Sequence, residues 1–264
     1  MIKIILQIEY DGTRYFGWQI QKNTITIQEK LELAISKIAN QKIRIVCAGR
    51  TDTGVHSIGQ IIHFVTNVHR SIKSWIIGVN SYLPKDIVVI CAWFSEDCFH
   101  ARHSAISRRY QYIIYNYPIR SAIVHNRVFH FYRQKLDEKK MNQAALLLLG
   151  THDFSVFRAK NCQSKNPIKT IKFIQVYRIN KFVFLDIEAN SFLYHMVRNI
   201  MGTLLIIGLN KKKVSWIKKL LKLKKRLYAG PTMPASGLYL TFVQYPKSFN
   251  ITKWNTNFNI FKEF

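Results

Sequence analysis

The sequence predicts an α+β fold in which one order of elements occurs twice. Segments in which apolar and polar residues alternate, as in strands, are separated by segments with apolar residues at helical spacing. Each half follows the order β-α-β-β-α-β, the split βαβ arrangement of ferredoxin-like domains. With 48% hydrophobic residues among 264, the chain has enough apolar surface for a substantial core. We therefore expect two ferredoxin-like halves that form a continued antiparallel sheet flanked by helices.

The first half begins with a strand over residues 1–10, which ends at the turn signal Asp11-Gly12. The aromatic and basic segment 13–19 is too polar for a core element, so we expect a loop. Thr26 followed by Glu29 is a capping box, which predicts that a helix begins there. The remaining elements are strands over 43–47 and 60–65, a helix from Ser71 or Ser74 to Pro84, and a strand over 87–94.

The second half repeats this order without a repeat at the level of residues. Its elements are a strand over 108–117, a helix over 137–149 ended by Gly150, hairpin strands over 170–179 and 182–189, helices over 194–208 and 214–223, and a strand over 238–244. The long connections 119–134, 152–169 and 226–237 have a length that is usually functional or mobile. We place an N-terminal subdomain at 1–105, a C-terminal subdomain at 106–246 and a tail at 247–264.

The chain is strongly basic, with 40 Lys and Arg against 14 Asp and Glu and a net charge of +26. A charge this large favours a polyanionic partner, and nucleic acid is the usual one. The chain is also rich in Ile, Asn and Lys, the composition of an AT-biased genome, which adds lysines without any function. The positive sign of the charge therefore indicates a nucleic-acid partner, while part of its size reflects the AT-biased composition.

Several classes of protein are disfavoured by what the sequence lacks. The longest apolar runs are far shorter than the roughly 20 residues of a membrane span, and no signal-peptide cleavage site is present. The four cysteines form no CxxC pair, which favours a reduced, cytoplasmic compartment. Cys98, His100 and His103 lack the fourth ligand and the usual spacing of a zinc site, so we expect no metal.

Residues 48–56, with the sequence AGRTDTGVH, are the candidate catalytic loop between the two middle strands of the first half. Asp52 lies two residues from Arg50 and is flanked by two threonine hydroxyls. Gly49 and Gly54 permit backbone conformations that other residues avoid. From these residues alone, two interpretations are open: an ordinary turn in which the aspartate caps its own backbone, and a loop that presents a catalytic carboxylate.

A single carboxylate limits the chemistry of this loop. Glycosidases of the usual kind need two carboxylates, and the chain has no glycine-rich phosphate loop with Lys-Ser/Thr, no HExxH and no convincing serine triad. A lone ionised Asp52 beside Arg50 suits nucleophilic or single-base work, because the guanidinium keeps the carboxylate charged and oriented.

Three further segments each have more than one interpretation. Residues 211–226 hold nine Lys or Arg among apolar residues at helical spacing, which fits phosphate contact, an interfacial membrane helix or the solvated face of a core helix. Residues 99–112 interleave basic and aromatic side chains, as in RNA contact, although Tyr110 and Tyr112 share one sheet face and also fit a core. His195 begins a helix, where it marks an anion site or is a structural histidine.

The segment 49–56, GRTDTGVH, resembles the GRTDxGVH catalytic signature of the bacterial tRNA pseudouridine synthase A family. Other segments resemble the family in the same order along the chain, over roughly residues 2–246. They are 9–19, 99–102, 108–110, 162–164, 195–199 followed by Gly202, and 237–240.

The resemblance implies an isomerase that converts uridine to pseudouridine at positions 38, 39 and 40 in the anticodon stem-loop of tRNA. It implies no cofactor and a homodimer, with tRNA lying across both subunits. By position, Asp52 is the catalytic nucleophile or base, Arg50 is its salt-bridge partner and Arg198 helps to fix it. Tyr110 stacks on the target uracil, and Leu238 contacts the substrate.

The resemblance also implies which residues contact tRNA or assist base flipping. They are Arg14, Arg70, Phe99, His100, Arg102, Phe131, Cys162, Gln163 and Ser164. A further position, basic in the family, is Pro118 here, with Arg120 as the nearest replacement. The alternative function is a non-catalytic RNA-binding protein on a tandem RRM-like scaffold, but neither half shows the RNP1 pattern of such proteins.

Overall fold

The computed structural model describes residues 1–95 and 97–251, which form two compact units. Of the described residues, the first unit comprises 1–108 and 239–251, and the second comprises 109–238. The strand that closes the predicted second half therefore belongs almost entirely to the first unit. The subdomain limits at residues 105 and 246 follow from element order alone and stay a prediction.

The elements of the described residues are numbered in chain order. They are β1 (Ile2–Tyr10), α1 (Ile27–Ala39), β2 (Val46–Cys47), β3 (His56–Thr66), α2 (Ile72–Tyr82), β4 (Ile87–Ser95), β5 (Ser107–Tyr115), β6 (Phe129–His130), α3 (Glu138–Leu146), β7 (Gly150–Asp153), β8 (Ile168–Ile179), β9 (Phe182–Ala189), α4 (Met196–Gly208), α5 (Trp216–Leu223) and β10 (Leu238–Gln244).

In the first unit the strands lie in the order β4-β1-β3, and the short β2 is antiparallel to β3, with Val46 opposite His63. Strand β10 is parallel to β3, with Tyr239 opposite His56. Apart from β10, the first unit has the chain order β1-α1-β2-β3-α2-β4 with antiparallel strands, which is the predicted ferredoxin-like pattern. Strand β3 thus begins at His56, the last residue of the candidate loop.

The core of the first unit includes apolar residues of β1, α1 and α2, among them Leu6, Leu31 and Trp75. The segment 13–19, expected to be a loop too polar for the core, contributes Tyr15 and Trp18, which are 4% and 1% exposed. The segment is a loop, apart from a 3-10 turn over Gly12–Arg14. Its exclusion from the core is wrong, because Thr13 and Arg14 face solvent while the rings of Tyr15 and Trp18 turn inward.

Helix α1 begins after Thr26 as predicted, but the predicted capping box is not formed. The Thr26 hydroxyl is buried and makes no hydrogen bond within the described part of the chain. At α2 the choice between two serines is decided, because Ser71 Oγ accepts a hydrogen bond from Ser74 N at 3.1 Å. Ser71 is therefore the N-cap residue.

In the second unit the strands lie in the order β5-β9-β8-β7, with β6 parallel to β5. Strands β8 and β9 form the predicted hairpin, which turns at Asn180 with a positive φ of 50°. Helix α3 ends at Leu146, earlier than predicted, and Gly150 begins β7 instead of ending the helix. Strands β6 and β7 were not predicted, since two to four residues carry too little periodicity to recognise.

The mixed composition of helices and mostly antiparallel strands confirms the predicted fold class. Among the helices described for residues 1–95 and 97–251, none is long and apolar enough to cross a membrane.

Candidate active site

The candidate loop leads from β2 into β3 and contains a tight turn. Val55 N donates a hydrogen bond to Asp52 O at 3.1 Å, and Gly54 has a φ of 76° that favours glycine. The turn over residues 52–55 is therefore closed by a main-chain hydrogen bond. It does not bury the carboxylate, because Asp52 is half-buried and Arg50 is exposed, so a turn and a catalytic loop are compatible.

Gln60 anchors the start of this loop from within β3. Its side chain is fully buried, and Nε2 donates to Gly49 O at 2.6 Å while Oε1 accepts from Gly49 N at 3.4 Å. One carboxamide thus satisfies both backbone groups of Gly49, much as a neighbouring strand would.

Arg108 holds Ala48, the residue before Gly49. Its Nη2 donates to Ala48 O at 2.9 Å and to Arg102 O at 2.6 Å, and its Nη1 donates to Ala105 O at 3.2 Å. Because the guanidinium is planar and carries several donors, one side chain joins the loop to the segment 102–105.

The segment after β1 holds the middle of the loop. Tyr10 Oη and Thr51 Oγ1 are hydrogen-bonded at 2.8 Å, and Trp18 N donates to Thr51 O at 3.0 Å. Gly17, with a φ of 83°, approaches so closely that a Cβ there would lie 2.9 Å from Thr51 O. The residue before Asp52 is thus fixed through both its main chain and its side chain.

His56 ends the loop and is 2% exposed, with its ring stacked on Tyr239 at 4.7 Å. Its Nδ1 lies 3.1 Å from both Asp11 Oδ1 and Gly12 N. An Nδ1 that carries hydrogen donates to the carboxylate, and an Nδ1 without hydrogen accepts from the amide. Burial raises the pKa of Asp11, but hydrogen bonds from His56 and Thr13 outweigh it and hold that pKa far below its usual range.

The cysteine just before the loop is not a competing nucleophile. Burial raises the pKa of the Cys47 thiol to about 12, although the Arg50 charge acts in the opposite direction. The thiolate is therefore scarce at neutral pH. Asp52 therefore stays the predicted nucleophile or base of this loop.

Three predicted site residues lie in the second unit. Tyr110 is half-buried on β5 and contacts Phe192 edge-to-face at 5.1 Å. Arg198, in the first turn of α4, donates from Nε to Met233 O at 2.6 Å. Leu238 is 6% exposed at the start of β10.

The predicted tRNA contacts of the first unit differ in accessibility. Arg14 is exposed and forms an ion pair with Asp86 at 2.6 Å, and Arg70 is exposed with Nε donating to Ile38 O at 3.1 Å. Arg102 is exposed and His100 is half-buried. These four side chains remain candidates for RNA contact.

Phe99 is different, because its ring is only 1% exposed and packs against Tyr245 and Phe249 at about 5 Å. This burial makes it a core residue, so the expectation of a direct contact with tRNA is corrected. Within residues 99–102, the accessible polar side chains are those of His100 and Arg102.

The predicted contacts of the second unit lie on its connections. Phe131 is half-buried beyond β6, and its N donates to Tyr115 O at 2.8 Å. Pro118 and Arg120 are both exposed. Residues 162–164 form a loop in which Cys162 Sγ accepts from Tyr194 N at 3.3 Å and Ser164 Oγ donates to Asn166 O at 3.2 Å.

His195 has a left-handed backbone with a φ of 59° and makes no capping bond to α4 through its side chain. Its ring stacks on that of Tyr194 with 3.9 Å between centroids. In the first unit, the rings of His63, His100 and His103 also lie near one another. Nonetheless, no group of three or more His, Cys, Asp or Glu within residues 1–95 and 97–251 could hold a metal ion.

Gln60 is a functional candidate that was not predicted from the sequence, while Arg108 and Tyr10 lie within the segments 108–110 and 9–19 that resemble the family but had no predicted role of their own. A glutamine at the centre of the apolar strand β3 is a signal that could have indicated Gln60. No local pattern indicates the partner of Arg108, because Ala48 is 60 residues away.

A sequence profile described as tRNA pseudouridine synthase matches residues 7–102 and 144–246, which together exceed half of the chain. The chain belongs to the tRNA pseudouridine synthase family. The expected resemblance is thereby confirmed, and with it the prediction that the protein is an isomerase acting on tRNA.

Curated relatives match over nearly their whole length. The chain is 56% identical over 250 residues to tRNA pseudouridine synthase A of Buchnera aphidicola subsp. Acyrthosiphon pisum (strain APS), covering 94% of this chain and 93% of that one. It is 50% identical over 252 residues to tRNA pseudouridine synthase A of Vibrio vulnificus (strain YJ016), covering 96% and 95%.

Among solved structures, the chain aligns with the crystal structure of a Cbf5-Nop10-Gar1 complex at 10% identity and a TM-score of 0.33. The alignment covers 89% of this chain and 57% of that one. A likeness this weak supports no conclusion about the fold or the function.

Proposed function

We propose that this synthase isomerises uridine at positions 38, 39 and 40 in the anticodon stem-loop of tRNA, with Asp52 as nucleophile or base. The observation that supports this best is the anchoring of the Asp52 loop. Gln60 binds the main chain of Gly49, and Tyr10 and Trp18 bind the side chain and the main chain of Thr51. Asp52 itself stays half-buried at the turn. Such anchoring holds a reacting group within a small range of positions.

The proposed reaction rearranges bonds within one nucleotide. The bond between C1′ and N1 breaks, a bond between C1′ and C5 forms, C5 loses its proton and N1 gains one. Because the product is an isomer of the substrate, no oxidant, reductant or cofactor is required. Attack at C1′, attack at C6 and removal of a sugar proton are three routes that would all use the Asp52 carboxylate.

The target uridine must leave its stack before the carboxylate can reach it, at a cost of a few kcal/mol. We assign Tyr110 to stacking on the uracil, Leu238 to substrate contact and Arg50 and Arg198 to holding the catalytic carboxylate. Arg14, Arg70, His100, Arg102, Phe131 and residues 162–164 are assigned to tRNA contact and base flipping.

The decisive experiment measures release of tritium from C5-labelled uridine in a tRNA transcript. We expect Asp52→Ala to abolish release while it retains tRNA binding, since no predicted phosphate contact is lost. Asp137→Asn is the matched control, because asparagine is as good an N-cap as aspartate for α3 and its activity should equal that of the wild type. Undiminished release by Asp52→Ala would refute the assignment.

The substrate positions are tested by mapping pseudouridine in transcripts that carry uridine at only one of positions 38, 39 and 40. We expect modification at each position and none in a transcript with cytidine at all three. Pseudouridine elsewhere in the tRNA would refute the proposed site specificity and would leave the isomerase activity in place.

We further propose that the enzyme is a cytoplasmic homodimer that uses no metal. Sedimentation equilibrium should give twice the chain mass of 31.0 kDa, and dialysis against a chelator should leave tritium release unchanged. A monomer mass or a loss of activity with chelator would each overturn the corresponding part of the proposal.

A further inference from the structure

Lys169, the second residue of β8, is buried without a counter-ion. It is only 8% exposed, although lysine is almost never buried unless it is paired with an acid. Over the described ranges 1–95 and 97–251, Lys169 forms no ion pair with a carboxylate. This burial calls for an explanation, because an uncompensated buried charge is among the more costly features of a fold.

The ammonium group also has few acceptors. Lys169 Nζ donates to Ser164 Oγ at 3.4 Å, which is a long hydrogen bond, and Ser164 Oγ in turn donates to Asn166 O. An ammonium carries three N–H donors. Burial lowers the pKa of Lys169, and the charge of Cys162 opposes this effect only in part.

The sequence around Lys169 supplies basic side chains and no carboxylate. Between Asp153 and Asp186 the chain contains no Asp or Glu, while the stretch around Lys169 contributes Arg158, Lys160, Lys165 and Lys172. Asp153, on the neighbouring strand β7, is already engaged by Lys224 at 3.0 Å and by Ser155 N. The carboxylate closest in sequence is therefore committed to other partners.

We propose that Lys169 Nζ and Ser164 Oγ form an anion site that binds one phosphodiester group of the substrate RNA. A phosphate oxygen accepts hydrogen bonds from both an ammonium and a hydroxyl, and the Ser164 hydroxyl can rotate to donate to it. The inference rests on the proposed function, because it adds a contact to the same tRNA. Lys169 itself was not among the predicted tRNA contacts.

The test compares Lys169→Met with the wild type. Methionine keeps an unbranched apolar stem in the buried position and removes the charge. Replacing a buried unpaired charge by an apolar group raises or maintains stability, so the melting temperature should not fall. Affinity for an unmodified tRNA transcript should fall about tenfold, the size of one charge-assisted hydrogen bond, and the slope of log K against log salt should shrink by about one.

Two further variants complete the design. Lys172→Met removes an exposed lysine three residues along the same strand and is the matched control. It should change affinity and slope less than Lys169→Met. Lys169→Arg keeps the charge and should keep the salt slope. If it also loses one unit of slope, a phosphate contact through this charge is refuted.

Two outcomes would overturn the anion site. One is an unchanged affinity and salt slope in Lys169→Met. The other is a Lys169→Met variant that melts well below the wild type, because the lysine would then be a structural cation of the fold. Failure of the proposed function is read separately, from tritium release and pseudouridine mapping with the wild-type enzyme. The wild-type enzyme can therefore show the proposed isomerase activity even if the Lys169→Met results rule out the anion site.

Discussion

At the scale of single residues, Gln60 shows how a buried polar group can anchor the candidate catalytic loop. It is fully buried in β3, and its carboxamide donates to Gly49 O at 2.6 Å, three residues before Asp52. A buried amide is retained when its hydrogen bonds are satisfied, and truncating it leaves the partner groups unpaired. Its role is to position the loop, since Asp52 carries the proposed chemistry.

Gln60→Glu should make catalysis newly dependent on pH. A protonated carboxyl can donate to Gly49 O as the amide does, whereas a carboxylate cannot. Burial raises the pKa of a glutamate at this site, so the protonated form gains population as the pH falls. We expect kcat relative to wild type to rise from pH 8 to pH 5.5, measured by single-turnover tritium release.

Gln60→Met is the control for this effect, because it cannot donate at any pH. Its kcat should be low throughout the range and should follow the pH dependence of the wild type. A Gln60→Glu profile parallel to that of the wild type would show that the hydrogen bond to Gly49 does not position the loop.

His63 is a second residue with an informative environment, because its burial should make the stability of the fold depend on pH. It is 7% exposed, and its Nδ1 accepts from Ala101 N at 3.1 Å. Burial lowers its pKa to about 4, and the His100 and Lys3 charges act in the same direction. Between pH 6.5 and 4 the unfolded chain therefore binds more protons than the folded protein at this site.

The stability that His63 contributes should be present above pH 6.5 and should be lost as the pH falls toward 4, on the order of 2 kcal/mol. His63→Gln removes this titration, so its free energy of unfolding should fall less than that of the wild type between pH 7.5 and 4.5. His125→Gln, at an exposed position, should behave like the wild type. Equal pH slopes for His63→Gln and the wild type would contradict the prediction.

At the scale of elements, the loop between β2 and β3 depends on close approach by the segment after β1. Gly12 and Gly17 both pass so near the loop that a Cβ would collide with its backbone, at 2.0 Å from Val55 O and 2.9 Å from Thr51 O. Both glycines lie in the segment between β1 and α1, and β1 pairs with β3. The loop is therefore held between two segments that the sheet brings together.

Gly17→Ala should lower catalysis more than it lowers stability. Alanine at a φ of 83° costs about 1–2 kcal/mol, and its Cβ would displace the main chain next to Asp52. A displacement of about 1 Å can reduce the rate by about a hundredfold. Single-turnover tritium release and urea unfolding of the same preparation separate the two effects.

Gly150→Ala is the matched control, because Gly150 has a similar φ of 90° while a Cβ there meets only His152 Nε2 at 4.0 Å. We expect a comparable loss of stability and unchanged catalysis. If the two variants lose activity equally, close approach to the Asp52 loop is not what requires Gly17.

At the scale of the whole molecule, charge should dominate the affinity for tRNA. Most of the net charge of +26 lies in the second unit, where residues 109–238 hold 24 Lys or Arg against five Asp or Glu. Nine of these basic residues lie in α5 and its flanks, within residues 211–226. Ile217 and Leu220 of α5 are buried, and its lysines are exposed. The structure therefore shows a core-packing helix with a solvated cationic face, which is compatible with phosphate contact.

Affinity for tRNA should fall by about 10³–10⁵-fold between 50 and 200 mM salt if six to ten phosphates are contacted. Filter binding over this range gives the slope of log K against log salt. A slope near −1 would mean that most of the charge reflects the AT-biased composition and that the enzyme recognises tRNA mainly by other contacts.

Local sequence determined most of the elements and singled out the candidate loop. The limits of β1, β9 and β10 agree with their patterns to within a residue, because side-chain periodicity is a property of a few consecutive residues. Asp52 was singled out from Arg50, two threonines and two glycines within one short motif. Those residues left both a turn and a catalytic loop open, and the resemblance to a known family favoured the catalytic loop.

Only the tertiary structure decided what surrounds that motif. Gln60, Arg108 and Tyr10 contact the loop from 11 to 60 residues away in sequence. The core positions of Trp18 and Phe99, and the burial of Lys169 without an acid, were likewise decided there. The physical reason is that burial and hydrogen-bond partners depend on which distant segments meet, and a local pattern carries no information on that meeting.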